Sequence, residues 1–186
     1  ILSVMTAAMH PELARGVLMV DSPLISGWRA TTVGMAKRTQ VVGSVSPGRV
    51  SRLRRNSWAS TEEAFEHFHK KKAFARWDPA VLDDYLRAGF EPEPAGGVRL
   101  TFRREIETRL YNTLPHHLGT LLRRHPPRCP VAYLGGTQSS EGRQVGLSAT
   151  RHLVRERLGW IEGSHLFPME RPAETAAAVL RLLPPA

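Results

Sequence analysis

Three short apolar runs, each closed by turn residues, constrain this chain more than any other feature. They read "RGVLMVDSP" over 15–23, "CPVAYLGGT" over 129–137 and "LGWIEGSH" over 158–165. Their length and composition suit buried parallel strands. Helical patterns fill 146–159, between the second run and the third, and 172–184, after the third. Strand, helix, strand, helix predicts a parallel α/β sheet. Right-handed crossovers bring the loops after such strands to one common edge, where sites collect.

Between residues 24 and 128 the pattern changes to a mostly helical insertion. Residues 60–74 predict a helix, with Ser60 or Thr61 as cap and Glu62 and Glu63 in the first turn. Residues 78–90 predict another, with Asp78 as cap, Pro79 at the first turn and Gly89 at the end. Residues 102–125 give one or two more, broken at Pro115, and "EPEPAGGV" (91–98) reads as a turn-rich connector. Residues 1–10 are helical as well. The chain opens on Ile1, inside what reads as the middle of a helix, so a longer protein is expected.

Composition narrows the class. The chain has 186 residues, 41% of them hydrophobic, enough for one core and too many for a disordered segment. No apolar run approaches the roughly 18–20 residues that span a bilayer. The net charge is +9, carried mainly by arginines scattered along the chain and densest in "RVSRLRRN" (49–56). Scattered charge predicts no nucleic-acid partner. The single cysteine, Cys129, excludes an internal disulfide and a thiolate metal site, and it favours an intracellular, cytoplasmic setting. His67 and His69, with Glu63 and Glu66, share a helix but find no further ligand set, so no metal is expected.

A strand ending in Asp21, a helical insertion, a strand ending in Gly135-Gly136 and a strand ending in Gly163-Ser164-His165 follow one another in an order that resembles the C-terminal half of an α/β-hydrolase. The tail Pro168-Met169-Glu170-Arg171-Pro172 is similar to the one after the histidine in esterase, epoxide-hydrolase and dehalogenase relatives. The resemblance implies a partial α/β-hydrolase sheet formed by 1–23 and 126–186, with a mostly helical cap over 24–125. It implies that His165 is the general base, oriented by Asp21 or, alternatively, Glu141. The position where relatives carry an aspartate is Ser139 here. Trp28 is a candidate substrate contact.

No G-x-S-x-G nucleophile elbow occurs in the sequence. The resemblance therefore places the nucleophile ahead of Ile1, and the 186 residues alone are expected to be inactive. The implied activity is cofactor-free hydrolysis of an ester of a small, apolar substrate. Epoxide or haloalkane hydrolysis is the alternative within the family, and a basic, non-catalytic binding module is the alternative outside it.

Overall fold

A computed structural model of the chain describes residues 1–25, 47–113, 115 and 117–183. The chain divides into two compact units, Ile1–Met35 with Pro115–Ala186, and Ala36–Leu114. The elements run α1 (Leu2–Met9) and β1 (Val17–Val20) in the first unit. The second unit follows with α2 (Pro47–Leu53), β2 (Ser57–Trp58), α3 (Thr61–His69), α4 (Pro79–Ala88), β3 (Phe90–Pro92), β4 (Val98–Leu100) and α5 (Arg104–Thr113). The chain then returns to the first unit with α6 (Leu118–Arg124), β5 (Val131–Gly136), α7 (Glu141–Val145), α8 (Ser148–Val154), β6 (Leu158–Ile161), α9 (Phe167–Glu170) and α10 (Pro172–Leu182).

The three apolar runs form one parallel sheet of order β1-β5-β6. β5 is central and every residue in it is buried. Its side chains alternate between two covered faces, as both-sided burial of a parallel strand requires. On one face Val131 and Tyr133 join Val17 and Met19 of β1, Val4 and Ala7 of α1, Leu118 of α6 and Val154 of α8. On the other, Leu134 packs with Ile161, Phe167 and Ala178. Helix α6 thus goes with the sheet rather than with the helical insertion where the sequence pattern put it. Its apolar residues Leu118, Leu121 and Leu122 are the reason, because they pack on the sheet core.

In the second unit the caps form as the residue types dictate. The Ser60 hydroxyl accepts from the Glu63 amide at 3.2 Å, and Glu63 Oε2 accepts from the Ala59 amide at 2.8 Å. Asp78 accepts from the Ala80 amide at 2.9 Å, just ahead of Pro79. The connector over 91–98 turns the chain as expected, and its two ends are strands. It is the bend of an antiparallel hairpin, β3 with β4, to which β2 adds a third strand. Gly97, at φ 87°, turns the chain where a Cβ would stand 2.3 Å from the Trp58 carbonyl oxygen. Strands this short carry no readable alternation, and Pro92 argues against one. The aromatic residues of this unit pack on one another: Trp58, Phe68, Phe74, Tyr85 and Phe90 share one cluster.

Candidate active site

The parallel register, Val20 opposite Leu134 and Gly136 opposite Ile161, brings the C-terminal ends of all three strands to one rim. Asp21 leaves β1 with φ 40°, a conformation that aspartate tolerates better than most residues. Its amide donates to the Leu134 carbonyl at 2.8 Å, which fixes the turn to the central strand. The carboxylate is buried, at 2% exposure, and four donors meet it. Oδ1 accepts from the Tyr133 hydroxyl and the Gly136 amide, each at 3.2 Å. Oδ2 accepts from the Ser139 hydroxyl at 2.5 Å and pairs with His165 Nδ1 at 2.7 Å.

Burial would raise the pKa of Asp21. The hydrogen bonds from His165, Ser139 and Gly136, with the charge of His165, outweigh it and hold the carboxyl below its ordinary range. An ionised carboxylate only accepts, so the bond to Oδ2 requires the proton on Nδ1 of the imidazole. The ring is 48% exposed. In the neutral imidazole Nε2 then carries the lone pair. That is the tautomer able to take a proton from an attacking hydroxyl or water.

The loop carrying His165 is tied to the loop after β5. Thr137 donates its amide to the Ile161 carbonyl and Gln138 donates to that of Gly163, both at 2.9 Å. The approach is close enough to require Gly136, whose Cβ would stand 2.3 Å from the Ser164 carbonyl oxygen. From the other side, fully buried Phe167 anchors the loop in the sheet core. Glu170 spans it: one carboxylate oxygen accepts from the Ser164 amide at 3.0 Å and the other from the Ser164 hydroxyl.

Of the candidate residues, the structure brings Asp21 and His165 into direct contact across 144 positions of sequence. Glu141 opens α7, two positions past Ser139. Trp28 lies outside the described residues. Ser139 takes on a role the sequence alone did not suggest. Read as a position lacking an aspartate, it donates a hydrogen bond to the aspartate that stands on β1. Glu170 braces the histidine loop; the Pro-x-Glu-x-Pro spacing marked its position but not this contact. Among the described residues, no cluster of three potential ligands stands ready for a metal ion. Among them, too, no helix is long and apolar enough to cross a membrane.

No family model and no curated protein sequence matches the chain. Solved structures do match. The chain superposes on E-2-(acetamidomethylene)succinate hydrolase with a TM-score of 0.64 and 19% identity, over 97% of this chain and 62% of that one. It superposes on a peroxisomal α/β-hydrolase of Saccharomyces cerevisiae with a TM-score of 0.59 and 15% identity, over 97% of this chain and 48% of that one. The chain has a partial α/β-hydrolase fold. A further match is a thioesterase domain from the curacin biosynthetic pathway, with a TM-score of 0.66 and 18% identity over 96% of this chain and 62% of that one. The chain spans less than two thirds of the length of each of these proteins.

Proposed function

We propose that this chain carries the acid and the histidine of an α/β-hydrolase that cleaves esters of small apolar substrates. His165 is the general base, Asp21 is the acid that orients it, and the nucleophile comes from residues outside this sequence. The observation that carries the reading is the 2.7 Å contact between His165 Nδ1 and a buried, multiply hydrogen-bonded carboxylate. It favours Asp21 over Glu141 as the acid. In the reaction, Nε2 takes the proton of an attacking hydroxyl, the resulting imidazolium is stabilised by Asp21, and the proton passes to the leaving alcohol. Water activated by the same nitrogen then releases the acyl group. No cofactor takes part. The mostly helical second unit is the proposed cap, and the lone cysteine fits a cytoplasmic setting. The thioesterase domain and an esterase of M. tuberculosis among the similar structures support acyl chemistry over epoxide or haloalkane hydrolysis.

The test has two parts. The coding sequence ahead of Ile1 is read for the elbow. A serine at its centre fits an esterase; an aspartate there turns the proposal to epoxide or haloalkane hydrolysis. The protein encoded with that segment is then assayed on short-chain aryl esters beside its His165→Ala variant. Equal turnover by the two proteins removes His165 from the mechanism.

A further inference from the structure

The first unit has a second concavity, separate from the Asp21–His165 rim. It is a cleft of about 750 Å³ whose lining includes Val131, the first residue of β5, and Arg157, just ahead of β6. It extends from the N-terminal ends of β5 and β6 to Leu24, three residues past Asp21, and to Ser148 at the start of α8. The Asp21–His165 pair lies at the C-terminal end of β5, about 16 Å from Val131 along the strand at the usual rise per residue. The cleft has the volume of a small-molecule site.

Its lining is polarised. The walls include Leu122 of α6 and Leu153 of α8, with Val131 beneath. Arg123, Arg155 and Arg157 supply the charge, and no carboxylate is among the described residues lining the cleft. Elsewhere in the described chain arginines pair with acids: Arg54 with Glu107, Arg55 with Glu63, Arg99 with Glu91 and Arg171 with Glu174. Arg123 bonds the neutral Thr120 hydroxyl at 3.0 Å. Three arginines line one concavity with no carboxylate among its described lining residues, Glu156 standing between two of them in the chain, and positive charge is concentrated there.

Arg155 adds a separate observation. It ends α8 with φ 54° and ψ −115°, a backbone conformation suited to glycine. Holding an arginine in it costs free energy, and residues held this way cluster at ligand clamps. The strain is incurred where the side chain lines the cleft.

We propose that this cleft binds an amphipathic anion, a phosphate or carboxylate head group joined to an apolar body. The head sits among Arg123, Arg155 and Arg157, whose planar forks match two oxygens at once. The apolar body lies along Leu122, Val131 and Leu153.

Isothermal titration of the purified protein with decyl phosphate, decanoate, decanol and inorganic phosphate tests this. At least one of the two amphipathic anions is expected to bind saturably and more tightly than both decanol and inorganic phosphate; which anion does so identifies the head group. The affinity is expected to fall as salt rises. Arg155→Gly removes a guanidinium and relieves the backbone at once, so its fold should be at least as stable. It is expected to weaken binding about tenfold, the scale of one charge-assisted hydrogen bond. Arg123→Gln, at an ordinary helical position, should act in the same direction. Decanol binding as tightly as the anions, no binding by either anion, or unchanged affinity in both variants overturns the proposal. His165→Ala should leave binding at the cleft unaltered, which separates this site from the proposed esterase reading.

Discussion

Replacing Asp21 with asparagine separates stability from catalysis, because the four donors around the carboxylate are not equivalent. The Tyr133 hydroxyl and the Gly136 amide meet Oδ1. The Ser139 hydroxyl and His165 meet Oδ2. With its carbonyl oxygen at the Oδ1 position, asparagine keeps the first pair and presents its NH₂ to the second. The Ser139 hydroxyl can rotate to accept. The imidazole can accept too, but only by moving its proton from Nδ1 to Nε2. Folding therefore suffers little: charge-assisted bonds become neutral ones, and relief from burying a charge offsets part of that, leaving a loss of about 1–2 kcal/mol. Catalysis suffers much more, because the base is locked in the wrong tautomer, an effect of about 10⁴-fold on turnover. In the protein encoded with the segment ahead of Ile1, urea unfolding and initial rates on an aryl ester measure the two effects, and nitrogen NMR of the His165 ring reports the tautomer directly. An Asp21→Asn enzyme working within about tenfold of the parent, on the scale of that expected loss, would refute the reasoning. So would a ring that keeps its proton on Nδ1.

Other perturbations follow from the same contacts. Ser139→Ala removes a donor to Oδ2 and should cost about 1–3 kcal/mol in urea unfolding while letting the Asp21 carboxyl rise. Because Asp21 is held below its ordinary range, its stabilising contribution is fully present above that range and is lost as pH falls through the depressed value. Acid titration of stability should show that limb in the parent and not in Asp21→Asn. Gly136→Ala would put a Cβ 2.3 Å from the Ser164 carbonyl oxygen, so the His165 loop must move. Its kcat should fall well beyond any loss in unfolding free energy, and an unchanged kcat would contradict the tight loop packing. Glu170→Gln keeps the shape but gives up charge on the brace to Ser164, and should cost about 1 kcal/mol in unfolding.

The local pattern was enough for the parts of this protein that local physics controls. Apolar runs ending at Asp21, Gly136 and the His165 loop became the parallel strands, and the central one, buried on both faces, left a continuous apolar signature. Ser60 and Asp78 cap the helices that their side chains favour. The contact of Asp21 with His165 was legible only as one of two options, since Glu141 shares the same region of chain order. The register of three strands is what brings the Asp21 carboxylate to the ring. The roles of Ser139 and Glu170 were beyond the sequence, because a hydrogen bond is fixed by where donor and acceptor stand after folding. The hairpin at 90–100 was equally hidden: its strands are too short to alternate, and Gly97 acts through a carbonyl at Trp58, far back in the chain. Periodicity reports which face a residue buries; only packed coordinates report what it touches there.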